Sequence, residues 1–322
     1  MTERLALQVA DVRAEARDVV LLELRAAGGA ALPAFEPGAH LEVELPNGLL
    51  RHYSLCNDWR ERERYLVGVG RAVNGRGGSQ YIHQHVRRGM SLKASAPRNN
   101  FALDPEARGF VFVAGGIGIT PINAMVQWCE ANRRPWRLVY AVRSRQRAAF
   151  YETLRELPDR VQFHFDDENA GLLDVGAALA GVERGEQIYC CGPAPLVKAV
   201  REATAHLPEG TVKFEFFTAP ADSRSDTPQG AAADGAFRIE LRRSGQTLDV
   251  PAGQSILEVL ERHGHEVPFS CREGLCRTCE TSIVAGACDH RDYVLSADER
   301  QAGKSLMVCV SRSLEPLLVL DL

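Results

Sequence analysis

At 322 residues the chain is too long for one ordinary core, and two or three domains are expected. Its 45% apolar and 25% charged side chains are those of a soluble globular protein, and a net charge of −4 gives no case for nucleic acid or an anionic membrane as partner. The polar start at Met1 lacks the apolar core of a signal peptide, and no apolar run approaches the roughly 20 residues of a membrane span, so a cytoplasmic, membrane-free protein is expected.

Residues 1–104 alternate apolar and polar at 19–24, 40–45 and 65–69, with Pro, Gly and Asn between. That pattern predicts an antiparallel β unit, a small barrel, with helix only after Gly78. The run Arg51-His52-Tyr53-Ser54-Leu55-Cys56-Asn57 offers a fixed cation, an aromatic face and a hydroxyl, with Arg51 and Tyr53 pointing one way along a strand. Downstream, Gly75-Arg76-Gly77-Gly78-Ser79 is a glycine turn that puts Ser79 at a helix N-terminus, suited to a terminal phosphate. Taken singly, the first run reads as a solvated β edge and the second as a plain loop. A seam is expected near Asp104-Pro105.

Residues 109–217 alternate strands at 109–114, 137–142, 161–165, 187–190 and 211–217 with helices at 121–132, 148–157, 172–180 and 195–205. This predicts a parallel sheet covered on both faces. The buried strand GFVFVA runs into Gly115-Gly116-Ile117-Gly118-Ile119-Thr120-Pro121, where glycines let backbone approach a pyrophosphate, Thr120 can cap the helix and Pro121 is tolerated in its first turn. It is not the G-x-G-x-x-G fingerprint. A second turn, Cys191-Gly192-Pro193-Ala194-Pro195, again joins strand to helix, and the two turns should line one crevice. In isolation Cys191 reads as a buried, inert thiol. Arg143 and Arg145 follow the second strand, where a cation can bind a 2′-phosphate, so NADH and NADPH both stay open.

Residues 219–235, rich in Pro, Ser, Asp, Gly and Ala, read as a flexible linker. Beyond them, strands at 237–241 and 246–250 precede a helix at 256–262 capped by Ser255. Cys271, Cys276 and Cys279 are then spaced C-x4-C-x2-C, with Cys309 following within an apolar segment, 306–310, that reads as a strand. Four thiolates in that spacing hold a plant-type [2Fe–2S] cluster. A zinc site is the competing reading, but zinc sites usually pair two short C-x2-C hairpins and Cys309 has no such partner. The other five cysteines, Cys56, Cys129, Cys190, Cys191 and Cys288, are an odd number unsuited to a disulfide framework.

The runs RHYSLCN, GRGGS, GGIGITP, CGPAPL and FEFF and the cysteine loop occur here in one order. That order resembles the phthalate dioxygenase reductase and vanillate O-demethylase reductase family, within the ferredoxin-NADP reductase superfamily, over essentially the whole chain. The resemblance implies an FMN-binding β-barrel at 1–104, an NAD(H)-binding α/β domain at 105–218, the linker at 219–235 and a β-grasp-type [2Fe–2S] ferredoxin at 236–322. FMN in place of FAD rests on the resemblance alone.

Carried over by position, Arg51, Tyr53 and Ser54, with His52 between them, hold the isoalloxazine and its chain. Gly77, Gly78 and Ser79 cradle the FMN phosphate. Gly116, Thr120 and Pro121 face the pyridine-nucleotide phosphates, with Arg143 on the adenosine side and Cys191, Gly192 and Pro193 by the nicotinamide. Phe217 covers the flavin ring, so Ser54, Cys191 and Phe217 are the residues nearest the chemistry. The implied activity is electron transfer from NADH through FMN and the cluster to a Rieske-type non-haem iron oxygenase that hydroxylates or demethylates an aromatic acid or similar compound. The cofactors carry that chemistry, and no general-base triad is expected. A monomer is expected. Two other readings are a free-standing NAD(P)H reductase of small acceptors, such as ferric chelates or flavin, and a redox-sensing module. Residues 237–322 carry 13 acidic and 10 basic side chains, which predicts a basic docking surface on the partner.

Overall fold

The computed structural model describes residues 4–72, 75–169, 171–218 and 235–322. Apart from Gly235, the expected linker lies outside the described residues. The chain forms two compact units, Met1–Phe217 and Thr218–Leu322.

The first unit opens with seven antiparallel strands, β1 (Leu5–Ala16), β2 (Val19–Ala26), β3 (Ala39–Glu44), β4 (Leu50–Ser54), β5 (Tyr65–Gly70), β6 (Ser91–Ala94) and β7 (Arg98–Asn99), and one helix, α1 (Gly78–His85). Their order is β4-β3-β6-β1-β2-β5, with β7 on β3. A bridge between Leu55 and Val67 joins the two outer strands and closes the barrel. Alternate residues such as Leu7, Val9, Leu41, Val43, Val67 and Val69 fill its interior, as a period of two requires. The sequence reading did not foresee β1, the longest strand. Two register shifts, between Val9 and Asp11 and between Ala14 and Ala16, break its alternation.

The second sheet is wholly parallel: β8 (Gly109–Gly115), β9 (Trp136–Val142), β10 (Val161–Phe165), β11 (Glu186–Cys191) and β12 (Val212–Glu215), in the order β10-β9-β8-β11-β12. Helices α2 (Ile119–Ala131), α3 (Tyr151–Leu154), α4 (Val175–Leu179) and α5 (Ala194–Ala203) connect the strands. Phe110, Phe112, Tyr189 and Cys191 face α2, whereas Val111, Val113, Ile188 and Cys190 face α4 and α5. Burial of both faces explains the unbroken apolar runs. The helix expected at 148–157 shrinks to a single turn because Phe150 takes a left-handed φ of 58°.

The other unit pairs β13 (Phe237–Leu241) with β14 (Gln246–Val250), crosses through α6 (Ile256–Arg262), and adds β15 (Glu280–Ala285), β16 (Cys288–Asp289), α7 (Ala297–Ala302), β17 (Ser305–Met307), β18 (Arg312–Ser313) and β19 (Leu317–Leu320). Its main sheet runs β14-β13-β19-β15-β17, with β13 and β19 parallel. Ser255 caps α6 as expected, in a full capping box with Glu258. The segment 306–310 is not one strand. β17 ends at Met307, and Val310 and Ser311 turn back onto the Met307 carbonyl, so Cys309 sits in the turn.

Candidate functional site

In the parallel sheet the strand order reverses between β8 and β11, which run side by side in register, Ala114 opposite Cys191. Ligands of open α/β sheets bind beyond the carboxyl ends of the strands at such a reversal. Both glycine turns leave from there and touch each other. A Cβ on Gly118 would lie 2.1 Å from the Cys191 carbonyl oxygen, and one on Gly192 would lie 3.0 Å from the Gly115 nitrogen. A cavity of about 510 Å³ opens above them, lined among others by Gly116, Pro193, Arg143, Asp166 and, from the barrel, Arg71. The turns, Gly116, Pro193 and Arg143 are thus brought to one crevice. Tyr140 donates a hydrogen bond to the Gly116 carbonyl at 3.1 Å, holding a turn whose φ of 53° suits glycine.

Thr120 and Pro121 stand differently. Both are buried in the first turn of α2. Gly118, not Thr120, occupies the cap position. The Thr120 hydroxyl donates to the Ile117 carbonyl at 2.9 Å, and its methyl fills the space above Gly68 of β5. Their place is the seat of the turn on the barrel.

On the barrel side, Arg51 folds over the glycine turn that opens α1. Its guanidinium donates to the carbonyls of Arg76 and, at 2.7 Å, Leu50, and a Cβ on Gly78 would meet Arg51 Nε at 2.5 Å. Gly77 takes φ 79° at the cap position, and the first turn of α1 holds no acidic residue. A fixed cation over a helix N-terminus with room only for glycine fits a terminal phosphate. Ser79 accepts from the Ala72 amide at 3.2 Å. Tyr53 packs on the barrel core. His52 is not brought to this cradle, because it lies on the strand face opposite Arg51, paired across β3 with Glu42.

Ser54 shares that second face and ends β4 beside the sheet. Its hydroxyl donates to Glu215 Oε2 at 3.4 Å, and the Cys191 thiol approaches the same oxygen at 3.9 Å. Ser54 and Cys191 are therefore joined through Glu215, which the sequence reading passed over inside FEFF. A lone acidic residue in an aromatic run was its only signal. Burial pushes the Glu215 carboxyl up to about 8, against hydrogen bonds from Ser54 and Cys191 that pull it down. Burial likewise drives the Cys191 thiol well up, with the neighbouring carboxyl adding to it, so this thiol is no thiolate nucleophile. Phe217, two residues past β12, is 39% exposed.

The sign of the Glu215 effect is fixed. The unfolded chain ionises this carboxyl near 4.5 while the folded one stays protonated toward 8, so its contribution to stability is complete below 4.5 and is lost as pH rises through 8. Glu215→Gln should flatten the fall in melting temperature between pH 5 and 9, recovering up to about 3 kcal/mol at the alkaline end. Parallel pH profiles for both proteins would remove Glu215 as their cause.

In the second unit, Cys276, Cys279 and Cys309 are buried and Cys271 is half-buried. The Glu273 and Leu275 amides both donate to Cys271 Sγ at 3.3 Å. Hydrogen bonds from the neighbouring Cys276 and Cys309 thiols, with those amides, favour its thiolate. Arg272 and Arg277 each hold φ 58°, and Gly274 is packed so closely that a Cβ would meet Val310 Cγ2 at 2.8 Å. A loop bent this way, amides turned toward sulfur, fits an iron–sulfur cluster. All nine cysteines are free of disulfides.

A barrel whose helix N-terminus fits a phosphate, a parallel sheet with a crevice at its order reversal, and a three-thiol loop with a fourth cysteine in a later turn are the features of a flavin and pyridine-nucleotide reductase carrying its own plant-type ferredoxin. A family model for the 2Fe-2S iron-sulfur cluster binding domain matches residues 239–314. Another, described as the N-terminal domain of dimethylamine monooxygenase subunit DmmA-like proteins, matches residues 90–208. The chain is 42% identical to phthalate dioxygenase reductase of Burkholderia cepacia, over 99% of this chain and 97% of that protein. It is 40% identical to vanillate O-demethylase oxidoreductase of Pseudomonas putida, over 96% of each. The solved phthalate dioxygenase reductase, described as passing electrons from pyridine nucleotides to [2Fe-2S], aligns with 99% of this chain and 98% of its own at TM-score 0.71. A type IV self-sufficient cytochrome P450 monooxygenase aligns at TM-score 0.91 and 37% identity, and here the chain spans 41% of the longer protein. The chain belongs to the phthalate dioxygenase reductase family, as its motif order indicated. Among the described residues no helix is long and apolar enough to cross a membrane.

Proposed function

We propose that the protein is the NADH-dependent reductase component of a two-component Rieske non-haem iron oxygenase that hydroxylates or demethylates an aromatic acid or similar compound. What supports this is one chain joining a helix N-terminus that fits a phosphate, a crevice where the parallel sheet reverses its order and ferredoxin-spaced cysteines, with near-full-length relatives named as phthalate dioxygenase reductase and as a phthalate 4,5-dioxygenase reductase subunit. In this reading residues 1–104 bind FMN, 105–218 bind NADH, 219–235 link, and 236–322 carry the cluster, in a cytoplasmic monomer. FMN held by residues 1–104 would supply the conversion of the hydride's electron pair into single electrons for the cluster.

The chain's own residues supply placement. Arg51 with Gly77, Gly78 and Ser79 anchors the phosphate. Gly116, Gly192 and Pro193 admit the dinucleotide backbone, with Thr120 and Pro121 holding the turn in place, and Arg143 and Asp166 flank its adenosine end. Cys191 keeps water from the nicotinamide side, Phe217 covers the flavin ring, and Ser54 with Glu215 holds a proton beside the reacting atoms. Cys271, Cys276, Cys279 and Cys309 ligate the irons. Arg51→Ala removes one charge-assisted phosphate contact, so FMN should bind about ten- to a hundredfold more weakly, as read by flavin fluorescence on dilution.

The decisive experiment mixes purified protein, NADH and the oxygenase encoded nearest its gene, and follows product formation. Product that depends on both proteins supports the reading, and efficient reduction of small acceptors without it defeats the reading. The second outcome has one observation in its favour: a 40% identical relative is tetrachlorobenzoquinone reductase of Sphingobium chlorophenolicum.

A further inference from the structure

NADH surrenders two electrons and one proton together as hydride. Two one-electron acceptors take only the electrons. Each NADH oxidised therefore leaves NAD⁺, two reduced acceptors and one proton that must reach solvent. Where that proton is set free, Ser54 is 3% exposed and Glu215 is half-buried.

The register of β3 and β4 places His40 directly opposite Ser54 and Glu42 directly opposite His52, so all four side chains share one face. The two imidazole rings stand 5.1 Å apart. His52 Nε2 lies 3.6 Å from Glu42 Oε2, and Arg4 donates to Glu42 Oε1 at 2.8 Å. His40 and Glu42 are 6% and 3% exposed, while the side chains of His52 and Arg4 reach 22% and 31%. Arg98 stands opposite His40 on β7, and Ser95 accepts the Glu42 amide at 3.1 Å. A purely structural cluster accounts for Glu42, Arg4 and Ser95, which tie three strands together. That cluster does not require imidazoles at both positions between it and Ser54.

We propose that His40 and His52 form the proton exit of the flavin site, taking the proton from Ser54 and Glu215 and passing it along β3 and β4 to solvent at His52, beside the buried Glu42. The inference rests on the reductase reading above. Imidazole suits this task because each ring accepts a proton on one nitrogen while releasing one from the other.

The test uses the holoprotein with NADH, cytochrome c and a pH indicator in weak buffer. In the wild type one proton should appear with every two cytochromes reduced, and the two signals should coincide in the first turnover. In His40→Gln and in His52→Gln the proton should trail cytochrome reduction at least about tenfold. Millimolar imidazole should abolish the lag in His40→Ala. A second readout needs no turnover: in flavin-free protein, the ¹⁵N imidazole signals of His40 should move in Glu215→Gln, and those of His263 should not. Coincident signals in both glutamine variants, or an unmoved His40, overturn the proposal. If NADH fails to bleach the flavin of the wild type, the reductase reading falls and takes the exit with it.

Discussion

Cys276→Ser is expected to lower NADH-dependent cytochrome c reduction by about a hundredfold or more, while NADH still bleaches the flavin at close to its original rate. The thiol is 4% exposed in the ferredoxin unit, and a serine alkoxide there is a far poorer iron ligand than a thiolate. The loop amplifies the loss. Arg272 and Arg277 hold left-handed φ values of 58° that cost about 1–3 kcal/mol each, and the cluster's ligand bonds are what would keep them so. With one ligand gone the loop should relax and the visible absorption of the cluster should disappear. Cytochrome reduction at the wild-type rate would mean that the electrons leave by another route.

Gly118→Ala is expected to lower stability by about 3 kcal/mol and to weaken NADH binding at least tenfold. The glycine has φ −60°, which alanine adopts freely, so the effect isolates sterics from backbone conformation. The added methyl would meet the Cys191 carbonyl oxygen at 2.1 Å, its carbon at 2.5 Å and the Gly192 nitrogen at 2.9 Å. None of these is a movable side chain, so β8 and β11 must part at their carboxyl ends, at the upper range of overpacking costs. The Arg51 cradle lies elsewhere on the barrel, and FMN retention should hold. Thermal melting and an NADH titration of the flavin spectrum measure both halves, and a wild-type titration would show that the two turns do not form the nucleotide crevice.

Elements fixed by local rules were legible. Strands 161–165, 237–241 and 246–250 and helix 256–262 fall on the expected residues, because alternation and the Ser255 cap act within a few positions. Elements set by tertiary context were not. Helix 148–157 lost most of its length to a left-handed Phe150, the bulged β1 hid its period, and Cys309 arrived in a turn after only three residues of strand. Thr120 had the right chemistry to contact a phosphate, but the barrel turned its methyl onto Gly68.

The same division holds for the sites. Cys271, Cys276 and Cys279 lie in one loop, so their covalent spacing alone fixes how far apart the sulfurs can be, and the cluster type was readable from the sequence. So were the two glycine turns themselves, since a turn and the helix after it are neighbours in the chain. Ser54 and Glu215 are 161 residues apart and Cys191 and Glu215 are 24 apart. Their meeting depends on barrel closure and on the parallel register of β11 and β12, where Cys191 lies opposite Glu215. No local pattern records that register, and only the packed fold places one half-buried carboxyl between the serine and the cysteine.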